Sequence, residues 1–321
     1  MKIAAKNTLR KAAIIVIGLS MISAIVILTS APVQSRFVEA RHGGALVFMD
    51  KYVPRPLRAE FSRDLGEATE GFLLEAGLLE AIPPEGPVAF FAGDRHYGVI
   101  SADDPLIRKR LAGRPSSDFV LFRSIGMNFY ANELVTRSVA AQDGSYVFVN
   151  VDEDWRASAL HAYAHAIAAA NAPAAVKASF KPDQGFDPDL RFAFRFADET
   201  LALLASDLFE LSLGLGGADG AWDAFPEASA RRYAGADSDV MERQAEIIMA
   251  TYDLPQKSAV FYAACNSFAS WILRERGADS LRAVARSFFS GAYSTLDEAF
   301  SPIGGFYASV EAWKGDASIP L

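Results

Sequence analysis

The chain has 321 residues, of which 51% are hydrophobic and 22% charged, and its formal net charge is −8. That is enough apolar material for a real core in one large domain or two modest ones. An acidic balance with no cluster that locally reverses it argues against a nucleic-acid partner, whose phosphates need a cationic surface.

The N-terminal stretch carries the first strong pattern. Lys2, Lys6, Arg10 and Lys11 precede AAIIVIGLSMISAIVIL, residues 12–28, which are 17 residues without a charge. At about 1.5 Å per residue, a helix of that length just crosses a hydrocarbon core. A basic flank stays in the cytoplasm, so the rest of the chain is expected on the far side, periplasmic or extracellular. Two readings of residues 1–30 stand open: an uncleaved signal anchor forming an N-terminal transmembrane helix, or a signal peptide whose removal gives a secreted form. Ala31 and Ser35 are the small residues at which cleavage would fall.

Residues 31–55 read as a juxtamembrane linker, with Pro54 and Pro56 marking a break. Residues 56–152 read as a helix followed by a small β-sheet. From Leu57 to about Leu79, Phe61, Leu65, Phe72, Leu73 and Leu78 recur at helical spacing, and IPPEGP then ends the helix. The period changes in VAFFAG (88–93), YGVI (97–100), DFVLFR (118–123), ELVTRSVA (133–140) and SYVFVNVD (145–152). These β-prone runs predict four or five strands, the last two paired across the AQDG turn.

Residues 153–321 read as a helical subdomain. DEDWRASALHAYAHAIAAA predicts one alanine-rich helix, capped by Asp152 or Asp154 and stopping before Pro173. A second helix is predicted from Pro188 to Leu213, GLGGADG is read as a loop, and further helices fall near 237–251, 256–277, 279–290 and 302–314. The order of helix, small sheet and helices predicts an α+β fold. In LRFAFRFAD, Phe192, Phe194 and Phe196 alternate with other residues, which fits either a short extended lead or three core side chains. Cys265 is the only cysteine, so an intramolecular disulfide is excluded, and its apolar surroundings predict a buried thiol.

His161 and His165, two of the four histidines, lie four residues apart and therefore one turn apart on one helical face. Imidazoles at that spacing can share an ion, and zinc takes three or four such ligands. Glu199, which heads the apolar run ETLALLASD, is the economical third ligand. Asp198 points about 100° away around the same helix and is the weaker choice. Asp207, two turns further on, is a candidate to orient a histidine through its other N–H. Spacing alone leaves open an ordinary pair of helix histidines with no ion. No GxGxxG, GxxxxGK[ST] or GxSxG signature is present.

HAYAH, the later ETLA, and VFYAACNSFASWILRERGADSLRAVARSFFSGAYSTLDEAF together resemble the gluzincin branch of the zincin metallopeptidases, in particular the bacterial peptidase MA-like proteins. The resemblance spans about residues 86–300 and rests on order and combined phrasing. It implies a zincin-like fold with zinc held by His161, His165 and Glu199, and with Tyr262 opening a helix behind the site. Two positions depart from the family. Thr200 follows Glu199 where glycine is usual, and Ala162 stands where the family's HExxH has glutamate. That glutamate is the base that takes a proton from the attacking water and hands it to the leaving amine, which a methyl group cannot do. The expected protein is thus a non-catalytic, membrane-anchored pseudo-metallopeptidase, with or without a retained zinc ion, that binds or scaffolds a protein or peptide. One alternative is a zinc-dependent hydrolase with an unusual base drawn from Tyr163, Asp198 or Asp207. The other is a structural envelope protein without a metal site.

Overall fold

The structure, a computed structural model, describes residues 35–93, 104–111, 137–141, 144–151, 154–179, 187–233 and 258–316. The hydrophobic run 12–28, the expected strands at 97–100 and 118–123, the expected helix at 237–251, His96 and Asp152 lie outside the described residues. Among the described residues, no single helix is both long and apolar enough to cross a membrane.

The chain enters through two short strands, β1 (Phe37–His42) and β2 (Ala45–Asp50), paired antiparallel. Residues 37–50, expected as linker, are therefore an ordered hairpin. Gly43 and Gly44 make the reversal, with Gly43 at a φ of 54° that suits glycine, and ALVFM supplies a strand buried over most of its length. The expected helix follows as α1 (Arg55–Gly66), a π-helical turn (Glu67–Gly71) and α2 (Phe72–Glu75). The N–H groups of Leu78 and Leu79 both return to the Leu73 carbonyl, closing the helix end before the proline stretch.

β3 (Pro87–Gly93) then pairs parallel with β2. After α3 (Pro105–Leu111), β4 (Arg137–Ala141) and β5 (Gly144–Asn150) pair antiparallel, as the turn sequence predicts. The sheet order is β1-β2-β3-β5-β4, with β3 and β5 parallel. In the central strand, Ala89, Phe90, Phe91 and Ala92 are all buried, as a strand covered on both faces requires. On one face Phe91 stacks between Phe48 at 5.2 Å and Phe148 at 5.0 Å. On the other, Phe90 receives the first long helix of the second half.

That helix is α4 (Trp155–Asn171), whose Tyr163 ring stacks on Phe90 at 6.2 Å. Asp154 occupies its N-cap position without making the expected side-chain cap bond. After α5 (Ala174–Ser179) comes α6 (Pro188–Leu215), 28 residues long. Its start is fixed by Asp187, whose carboxylate accepts from the N–H groups of Asp189 and Leu190, with Pro188 in the first turn. Gly216, left-handed at φ 76°, ends it. The expected loop at GLGGADG shrinks to Gly216 and Gly217, because α7 (Ala218–Tyr233) begins at once. Gly220 and Pro226 mask that helix in the sequence.

α8 (Ser258–Arg276), α9 (Ala278–Ser290), α10 (Leu296–Ala299), a 3-10 turn (Ser301–Ile303) and α11 (Phe306–Lys314) complete the subdomain. α6 packs against α4, α7 and α8. This explains the alternating phenylalanines, which sit on a helix and not in an extended lead. Phe192 and Phe196 share a helical face and meet Phe261 and Phe268, while Phe194 lies on the opposite side and stacks on Phe288 at 5.2 Å. A helix apolar on opposed faces is one enclosed by the fold.

Candidate metal centre

Two helices bring the predicted ligands together. α4 presents His161 and His165 with their rings 4.6 Å apart and nearly perpendicular, and α6 presents Glu199 toward both. Nε2 of His161 and Nε2 of His165 face each other at 3.1 Å. Glu199 Oε1 is 3.2 Å from the first and Oε2 is 3.3 Å from the second. Ligands at about 2.0–2.1 Å from a tetrahedral zinc lie about 3.3–3.4 Å from one another. Each contact is near that spacing, although Glu199 meets the two histidines through different oxygens; with one ligand atom from each residue within 4.8 Å of the others, the three residues form a group that could hold a metal ion.

Two imidazole nitrogens that face one another need an N–H hydrogen of one ring or a metal ion between them, since two lone pairs repel. Glu199 Oε1 is buried, with His161 Nε2 beside it at 3.2 Å. Burial opposes charge on His165, but Asp198 and Glu199 outweigh it and raise its pKa well above the ordinary 6.5. Burial likewise disfavours the Glu199 anion, yet the two histidines hold its carboxyl far below the usual carboxylate range. The side chains are 25% exposed at His161, 16% at His165 and 9% at Glu199, so the cluster opens to solvent on the His161 side.

Asp198 corrects the sequence reading. It is not a competitor of Glu199 for the ion: its Oδ2 lies 2.8 Å from Nδ1 of His165, on the far side of that ring. Adjacent residues on a helix differ by about 100°, which lets Glu199 reach one nitrogen of His165 and Asp198 the other. A carboxylate on the second nitrogen fixes the ring's tautomer and raises its basicity. Burial pushes the Asp198 carboxyl itself upward, with His165 opposing that shift. Asp207, the candidate for this orienting role, lies eight residues beyond Glu199, or about 12 Å along the axis, and forms no part of the cluster.

Between the two histidines, Ala162 is fully buried. Tyr163, a named stand-in, donates its hydroxyl to Glu70 Oε1 at 3.1 Å, and Glu70 Oε2 lies 2.5 Å from His42 Nε2. This hydroxyl and one oxygen of the Asp198 carboxylate, Oδ2, are therefore engaged elsewhere. His42, which the sequence left unassigned, belongs to that second network on the sheet side of α4. Cys265 is buried as expected, its Sγ 3.9 Å from the Phe196 carbonyl, and burial pushes the thiol pKa up. The helix expected to open at Tyr262 is α8, already helical from Ser258; it packs on α6 through Phe261 and Phe268, while Tyr262 itself is 38% exposed.

Compared with protein families, curated proteins and solved structures, the chain matches none. The class that fold and site define is a coarse one: an α+β protein with a small sheet, a helical subdomain and a His-His-Glu cluster fit to hold a metal ion.

Proposed function

We propose that this is a non-catalytic, zincin-like metal-binding protein, a pseudo-metallopeptidase that uses the solvent-facing side of its ion site for binding or scaffolding. One observation carries the reading: ligand atoms of His161, His165 and Glu199 lie within 4.8 Å of one another, while the position between the histidines where a base would stand holds the buried methyl group of Ala162. When bound, zinc would supply Lewis acidity toward a carbonyl or carboxylate of a peptide or protein partner. The chain's own residues hold the ion, orient His165 through Asp198 and leave the His161 side open. The ties of Tyr163 to Glu70 and of Asp198 to His165 weigh against a hydrolase with a substitute base. The charged flank and apolar run of residues 2–28 support a membrane anchor, with the folded part extracytoplasmic.

The test is metal analysis of the purified protein beside a His161→Ala His165→Ala double variant, with peptide hydrolysis assayed in both. One zinc per chain that disappears in the variant, with no turnover in either, is the expected result. Zinc-dependent turnover would overturn the non-catalytic reading, and equal metal in both proteins would overturn the site.

A further inference from the structure

After the ion site is assembled, two buried polar atoms beside it still lack partners. One is Asp198 Oδ1, the carboxylate oxygen not used by His165; the other is the hydroxyl of Tyr293. Tyr293 is 6% exposed and lies in the turn after α9. Its ring stacks on Phe288 at 5.7 Å with the planes 8° apart, and Phe288 stacks on Phe194 at 5.2 Å. Phe194 precedes Asp198 by four residues on α6, so this column of three rings leads from Tyr293, through Phe288, to the α6 face that carries Asp198. The turn is pinned there by a close approach: a Cβ on Gly291, whose φ is 69°, would fall 2.1 Å from the Asn171 carbonyl oxygen at the end of α4. After burial, the Asp198 charge is the second cause that raises the Tyr293 phenol pKa, so the two groups share one electrostatic environment.

A buried donor and a buried acceptor, each unsatisfied and placed on adjoining surfaces, are reconciled by one hydrogen-bonded link. We propose that Tyr293 is a positioning residue of the metal centre: its hydroxyl, through a bridging water, holds the free oxygen of Asp198, and Asp198 in turn orients His165 toward the ion. The chain of control then runs from the α9–α10 turn through α6 to α4. This rests on the proposed metal site, with Tyr293 acting two steps from the ion and touching neither metal nor ligand.

Tyr293→Phe removes the hydroxyl and keeps the stacked ring. Cobalt(II), read by its visible absorption and by chelator competition in the full-length protein, is the probe. Asp198→Asn is expected to weaken cobalt binding about 10- to 100-fold, and Tyr293→Phe, one step further out, about 3- to 10-fold with a shifted visible band. The double variant should bind no worse than Asp198→Asn alone, since the two lie on one path. Wild-type affinity and spectrum in Tyr293→Phe, or penalties that simply add, would overturn the proposal. A second measurement needs no metal: the Tyr293 ¹³Cζ resonance of the metal-free protein should move on Asp198→Asn, and a stationary resonance also overturns the link. If the wild type takes up no cobalt, the metal reading fails by itself, and the ¹³Cζ shift still decides whether Tyr293 and Asp198 are coupled.

Discussion

Ala162 contributes only a methyl group, and no part of it reaches solvent. Ala162→Glu would place a carboxylate where the surroundings are packed for that methyl. It is expected to destabilise the metal-free protein by about 3–5 kcal/mol, measured by urea denaturation, with zinc restoring part of the loss. Unchanged stability would mean that the position has room for a base, and would reopen the hydrolase reading. At the ligands, the signs of two pKa shifts fix a stability profile. His165, raised in the fold, contributes stability that is complete below its ordinary 6.5 and lost as pH rises through the folded value. The raised Asp198 carboxyl acts in the same direction over its own range. Glu199, lowered in the fold, contributes stability above its ordinary 4.5 that is lost as pH falls toward the folded value. The metal-free protein should therefore lose stability on the alkaline side, measured by denaturation midpoints across pH, and His165→Ala should flatten that limb. Metal should reverse it, because the ion replaces the proton between the two imidazoles.

α4 is held at both its ends and its middle. Arg156 reaches Glu60 at 2.8 Å and Asp64 at 2.6 Å on α1, and Trp155 packs on Phe61 with centroids 4.6 Å apart. Asn171 closes the far end on the Glu85 carbonyl at 2.7 Å. In the middle, Tyr163 bonds Glu70, which the π-helical turn places under His42. Gly66 permits this, since a Cβ there would sit 2.6 Å from the His42 ring. Tyr163→Phe keeps the stack on Phe90 but leaves Glu70 short of a donor. A loss of about 1–2 kcal/mol in urea denaturation is expected, with zinc affinity changed less than in Asp198→Asn. A zinc affinity that collapses with the hydroxyl would show that the network sets the ligand geometry directly. The extents of α4, α6, α8 and α9 were readable from periodicity and punctuation. The β1–β2 hairpin was not, because it is short and stands beside a segment that reads as linker. α7 was hidden by Gly220 and Pro226, and is a helix because α6 and α8 pack against it.

For the molecule as a whole, an ion that binds the folded chain and not the unfolded one should raise its stability by mass action. Zinc at 100 times its dissociation constant should add about 2.7 kcal/mol, seen as a rise in melting temperature that His161→Ala His165→Ala abolishes. No rise in the wild type would count against a native ion. Sequence alone determined the α+β order, the one-turn spacing of His161 and His165, and the alanine at position 162. Each of these is a matter of residue type or helical period, which are local properties. Tertiary structure alone decided that Glu199 reaches both histidines, that Asp198 meets the other nitrogen of His165, and that Tyr163 is committed to Glu70. Tyr163 and Glu70 are 93 residues apart, and His165 and Asp198 are 33 apart on separate helices. Such contacts depend on how two helices are rotated and set against each other, which packing fixes and residue spacing along the chain does not.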